Sequence, residues 1–210
     1  MARKTRKSPR PAGARQPDPE RRIIAAALDL AAEHGWTRTS LGAIAKAAGI
    51  SPAELYARFP SKVAILRAYL GQIDETALAD PVAADEPVRD RLFDLIMRRF
   101  DALAPHKAGV RAILADLPAD PATGLCLGPR FLRSIAALAD AAGVKTAGLL
   151  GVLRVKALAA AYLCVMRIWL KDESADKAAT MAALDRLLKR LEMFENSIPN
   201  WNTREASAAA

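Results

Sequence analysis

The side chains capable of covalent or metal chemistry are few and poorly placed for it. His34 and His106 are far apart in sequence, no Ser-His-Asp order occurs, and Cys126 and Cys164 lack the flanking His or Cys that a metal site needs. The acidic pair Asp172-Glu173 falls at a helix junction, where capping accounts for it. Catalysis, a cofactor and a metal are therefore not expected. The remaining chemistry is cationic. Residues 1–22 hold eight basic groups against Asp18 and Glu20, residues 23–67 five against three, and residues 68–210 eighteen of each sign. The whole formal charge of +8 thus lies in the first third of the chain, where a surface would meet a polyanion. A solubilising basic tail gives the same charge distribution.

The elements that must carry these groups are helical. Hydrophobic residues make up 52% of the chain and are weighted to Ala and Leu, which favours an all-α fold. Residues 1–17 mix Arg and Lys with Pro9, Pro11, Gly13 and Pro17 and read as a disordered basic arm. Asp18-Pro19-Glu20 opens the first helix as N-cap, N1 proline and first-turn acid. Ile23, Ile24, Ala27, Leu28, Leu30 and Ala31 follow as its apolar stripe, and His34-Gly35 closes it. Ser40 caps a second helix to Ala47, Gly49 breaks it, and Ser51 starts a third that ends near Phe59. A fourth helix runs from Ser61 to about Ala79. Pro81 to Pro87 is an acidic linker that reads as a boundary. Further helices are expected near 87–103, 106–115, 121–142, 145–171 and 176–195, then a flexible tail over 197–210. Functionally the division is a helix-turn-helix DNA-binding domain over 18–66 and a larger helical ligand and dimerisation domain over 67–196. The two unpaired cysteines fit a reducing cytoplasm. The longest apolar stretch, Ala157 to Met166, is about half the roughly 20 residues of a membrane span, so no integral membrane association is expected.

Two short helices crossing steeply need small residues at the approach, a glycine at the turn and apolar groups on both sides. Residues 41–59 supply Leu41, Ile44, Ile50, Leu55 and Phe59 as core, Ala45 and Ala48 as close-packing positions and Gly49 as the turn. Ser51-Pro52-Ala53-Glu54 is a capping box with proline at N1, so the third helix is short and sharply started, of a size to enter a major groove about 12 Å wide.

This stretch resembles the N-terminal domain of the TetR family of bacterial regulators. The match runs through Gly35-Trp36, Thr39-Ser40, Ile44-Ala45, Ala48-Gly49-Ile50-Ser51, Leu55-Tyr56, Phe59 and Lys62. The resemblance implies a homodimer that binds double-stranded DNA at a palindromic operator through its third helices, Ser51, Pro52 and Ala53 among the residues at the DNA, and that a small molecule in the C-terminal domain releases it. Tyr56 and Lys62 match phosphate-holding positions. Thr39 or Ser40 can present a hydroxyl and a helix N-terminus to phosphate, and Arg58 can reach a phosphate or a base. Structural alternatives stand beside these roles: Tyr56 as a partly buried core aromatic, Lys62 as a solvated cap residue, Arg58 as an ordinary exposed arginine. Glu54 and Ala57 depart from the base-reading groups common in relatives. Glu54 is either the N3 partner of Ser51, which is the favoured reading, or an acceptor for cytosine N4.

In the C-terminal half, the helix near 145–171 is apolar on more than one side. Leu149 and Leu153 on it, with Met181, Leu184, Leu188 and Leu191 at 3-4-3 spacing on the last helix, form the expected dimer seam; internal burial in a monomer is the alternative. Phe93, Met97, Phe100, Leu114, Leu125, Phe131, Tyr162 and Met166 are candidates to line a pocket for a small lipophilic effector, although core packing explains the same residues. A rival comes from residues 168–188, which are similar to the closing segment of the lipid-binding accessory proteins of ubiquinone biosynthesis. Those proteins keep the TetR architecture without repressor activity.

Overall fold

A computed structural model of the chain describes residues 18–196, so the expected arm (1–17) and tail (197–210) lie outside the described residues. Among the described residues every regular element is a helix: α1 (Pro19–His34), α2 (Leu41–Ala48), α3 (Pro52–Arg58), α4 (Lys62–Ala77), α5 (Val88–Leu103), α6 (Lys107–Asp116), α7 (Pro121–Ala141), α8 (Gly148–Trp169) and α9 (Ala178–Asn196), with 3-10 turns at Ala104–His106 and Leu117–Ala119. Local chemistry sets most of the boundaries. The Asp18, Ser40, Ser51, Ser61 and Asp120 side chains accept the orphan amides of α1, α2, α3, α4 and α7. Gly49 ends α2 in the left-handed region at φ 66°, a geometry that strains any residue with a β-carbon.

The starts of two helices differ from expectation by two residues or more. α8 begins at Gly148 rather than near 145, because Gly143 at φ 86° and Gly148 at φ 72° bracket non-helical chain. α9 begins at Ala178 because Lys177 takes φ 53°, which no α-helix accommodates. The division between residues 66 and 67 falls inside α4, whose buried Ile65, Leu66, Tyr69, Ile73 and Ala77 make it one continuous rod.

α1 packs on α2 and α4, and also crosses α6 on the body side. The crossing is close. A β-carbon at Gly109 of α6 would stand 2.5 Å from the Leu28 carbonyl oxygen of α1, so only glycine lets the backbones meet. From there a single buried cluster continues from Ile23 and Trp36 through Ile96, Phe100 and Ile135 to Trp169 and Leu188.

The expected dimer seam needs correction on α9. Leu184 and Leu188 are buried within their own chain, where α9 lies on α5 and α8, and Met181 and Leu191 are half-buried. On α8 the inner face (Val155, Leu158, Tyr162, Val165, Trp169) is core, whereas Leu149, Val152, Leu153 and Leu163 are exposed, Leu149 at 86%. α8 is the one described helix long and apolar enough to cross a membrane by length and composition, a test that a core helix passes too, and its inner face is core here.

Candidate nucleic-acid interface

The α2–α3 pair is anchored from below. Leu55 of α3 and Phe59 just after it, Ile44 and Ala45 of α2, and Trp36 are buried, which leaves α3 one free side: Pro52, Ala53, Tyr56 and Ala57 are all exposed. Tyr56 is 54% exposed, so it is not a core aromatic. The Ser51 hydroxyl accepts the Glu54 amide at 3.1 Å, the first half of the capping box. The Glu54 carboxylate turns to Arg58 instead, at 3.6 Å one helical turn on. The charges of the third helix therefore offset one another, and an anion approaching Arg58 must compete with Glu54. Lys46 on α2 is exposed as well.

Two expected phosphate ligands are engaged elsewhere. Thr39 is buried, and its hydroxyl donates to the Gly35 carbonyl at 2.8 Å, so of the Thr39–Ser40 pair only Ser40 is at the surface, with its oxygen accepting the Ala43 amide at 3.1 Å. The Lys62 ammonium turns inward: it donates to the Trp36 carbonyl at 2.7 Å and lies 4.6 Å from the centre of the Trp36 ring. Burial pulls its pKa below the usual lysine value, opposed by the carboxylates of Asp120 and Asp116. Lys62 thus fastens the start of α4 to the segment before α2, where the phosphate reading had placed it outward.

Sequence reasoning missed the partner of this fastening. Asp116, at the end of α6, accepts both the Thr37 amide at 2.8 Å and the Thr37 hydroxyl at 3.0 Å, and these bonds hold its carboxyl below the ordinary aspartate range. Asp120 is likewise lowered by the Thr123 hydroxyl and amide, which it binds at 2.6 and 3.1 Å. The segment that leads into the reading helices is therefore tied to the body by a bond across 79 residues, a pairing with no local signal.

Residues 23–69 match the family model described as bacterial regulatory proteins, tetR family. A solved structure of a TetR transcriptional regulator from Nitrosomonas europaea superposes with a TM-score of 0.68 at 25% identity, covering 84% of this chain and 99% of that one. Residues 23–69 thus form a TetR-type N-terminal domain. Salmonella enterica GusR gives a TM-score of 0.59 at 26% identity over 85% of this chain and 97% of that one. An uncharacterized HTH-type transcriptional regulator of Mycobacterium tuberculosis is 31% identical over 54% of this chain and 55% of its own length. The HTH-type transcriptional regulator UidR of Escherichia coli K12 is 34% identical over 47% and 50%. The chain spans about half the length of the curated relatives it matches.

Behind its TetR-type head, the body holds a cavity of about 280 Å³ between α4, α5, α6, α7 and α8. Four of the eight pocket candidates, Leu114, Phe131, Tyr162 and Met166, line it. The other four candidates do not. Leu125 is 80% exposed, because the helical turn puts Gly124, Leu127, Gly128 and Phe131 on the cavity side of α7 and Leu125 on the other. Phe100 is fully buried, stacked on Tyr162 and Trp169 at 5.1 and 5.4 Å. Met97 packs on the core, and Phe93 lines a separate cleft beside Met181. The Asp172 carboxylate binds Ser174 and Thr180, at 2.7 Å for the Thr180 hydroxyl, which ties down the turn before α9. That is the capping role expected of it.

Proposed function

We propose that the chain is a ligand-responsive DNA-binding transcriptional regulator, acting as a repressor, whose homodimer places two α3 helices in successive major grooves of a palindromic operator. The observation that carries this reading is the free outer face of α3, with Tyr56 exposed, on the part of the chain that holds all its excess positive charge. The exposed apolar side of α8, with Leu149, Leu153 and Leu163, supports pairing of two copies. The apolar cavity supports a small lipophilic effector. Ser40, Tyr56 and the basic residues preceding α1 take the phosphates, and Arg58 joins them once released from Glu54.

The test is selection of bound fragments from random duplex DNA at two salt concentrations. An enriched palindrome with half-sites roughly 34 Å apart, or a multiple of that spacing, is the expected result. Salt-sensitive binding without an enriched sequence would reduce the chain to a basic binder, and absence of binding with co-purifying lipid would favour the accessory-protein alternative.

A further inference from the structure

The cavity in the body carries charge that packing leaves unexplained. Asp74 of α4 is held from three sides: Arg99 and the Ser134 hydroxyl donate to Oδ1, the latter at 2.5 Å, and Arg130 reaches Oδ2 at 2.8 Å. One carboxylate therefore faces two guanidinium groups, and among the described residues no other acid pairs with either. Arg99 is 1% exposed, and its Nε donates to the Tyr162 hydroxyl at 3.1 Å. A core arginine needing only neutralisation would be matched by one acid. Arg130 is the outer of the two, its side chain 24% exposed, so Asp74 is shared with a partly solvated cation and the buried Arg99, which borders the apolar space, is not neutralised by Asp74 alone.

A second observation stands on the same wall. Tyr69 is 6% exposed, and its hydroxyl is buried with no hydrogen-bond partner. Its edge meets His106, with ring centres 5.8 Å apart, so the ring is well packed and phenylalanine would satisfy the site. Burial raises the phenol pKa, the neighbouring Tyr162 raises it further, and Arg99 opposes the shift, which puts the hydroxyl in the electrostatic reach of the two other polar residues of the lining. Tyr69, Arg99 and Tyr162 are thus the polar end of a cavity otherwise walled by leucine, isoleucine, valine, phenylalanine, methionine and glycine.

We propose that this cavity binds a lipophilic monocarboxylate, whose carboxylate accepts from Tyr69 and Arg99 while its apolar body lies against α6 and α7. The proposal rests on the reading of the body as a ligand-binding domain and names the class of ligand. At roughly 30 Å³ per water-sized volume, about 280 Å³ accommodates roughly ten non-hydrogen atoms, the size of octanoate. The carboxylate completes the Tyr69 hydrogen bond and neutralises the second guanidinium.

The test is calorimetric titration of the full chain with sodium octanoate, octan-1-ol and methyl octanoate. Octanoate should bind at least tenfold more tightly than either neutral probe. Tyr69→Phe should weaken octanoate about tenfold and leave octan-1-ol unchanged. Arg130→Met, which keeps Asp74 paired to Arg99, should abolish the preference for octanoate. Gly124→Leu, whose side chain enters open space at the cavity wall, should abolish binding of all three. Equal affinity of the wild-type chain for all three probes would overturn the carboxylate assignment and leave the ligand-binding reading intact. Failure of all three to bind would overturn both, and octanoate binding that survives Gly124→Leu would show that the carboxylate sits elsewhere.

Discussion

Gly109→Ala is expected to loosen the joint between head and body. In an ordinary helix interior, Gly→Ala is stabilising by about 1 kcal/mol, because alanine has less backbone freedom to lose. At Gly109 the new methyl would lie 2.5 Å from the Leu28 carbonyl oxygen, 3.0 Å from its carbon and 3.1 Å from the Leu28 β-carbon, and two of these three are rigid backbone. Relief requires α1 and α6 to separate by more than half an ångström, an overpacking cost toward the upper end of about 1–3 kcal/mol. The net effect is about 2 kcal/mol of destabilisation, a fall in Tm of roughly 4–8 °C for a chain of this size. Gly124→Ala provides the comparison, since its methyl would meet nothing within 4 Å. It should raise Tm by roughly 2–4 °C. Thermal unfolding followed by circular dichroism reads both. Equal shifts of the same sign in the two variants would refute the argument that backbone approach at Leu28, rather than helix propensity, selects glycine at position 109.

Lys62→Ala should lower stability by about 1–2 kcal/mol through loss of the Trp36 carbonyl and ring contacts, yet leave the salt dependence of DNA binding unchanged; a slope reduced by about 0.9, one phosphate's worth, would restore the ammonium to the DNA. Glu54→Gln frees Arg58 and should tighten DNA binding while steepening that slope by about 0.9 in a salt titration of fluorescence anisotropy. Because the Thr37 bonds lower the Asp116 pKa in the folded chain, their contribution is complete above the unfolded aspartate value of about 3.9 and is lost as pH falls through the lower folded value. Asp116→Asn should therefore lower Tm at neutral pH, with the difference from wild type shrinking below about pH 4. Leu149→Glu together with Leu153→Glu should convert a dimer to monomers in sedimentation velocity without changing the helical circular dichroism, since both side chains are exposed in the single chain.

The head was readable because its determinants are local. Ser40, Gly49 and Ser51 each act on amides or carbonyls a few residues away, so spacing alone placed α2 and α3 to within a residue. The body was readable as helices but only partly as a site. Apolar type does not distinguish a lining residue from a packed one, which is how Phe100 entered the pocket candidates. Leu125 failed for a different reason: its place on α7 could be judged only once the direction of the cavity was known. On α9, the same 3-4-3 spacing that suits a partner helix also suits α8 and α5, and Leu184 and Leu188 went to the nearer surface. Thr39 and Lys62 were assigned outward by analogy of position, whereas Gly35 and Trp36 offered them partners. The Asp116–Thr37 bond and the three-way hold on Asp74 join residues from distant helices, and no periodicity announces them.

The crossing of Leu28 over Gly109 bears on how this molecule is dissected in the laboratory. A fragment ended after residue 66 would keep the reading helices but strip α6 from α1 and sever α4 before Tyr69 and Ile73, exposing oily surface that the intact chain covers. Such an excised reader should be an aggregating peptide rather than a miniature of the whole. The head and the body share one continuous core and should melt together.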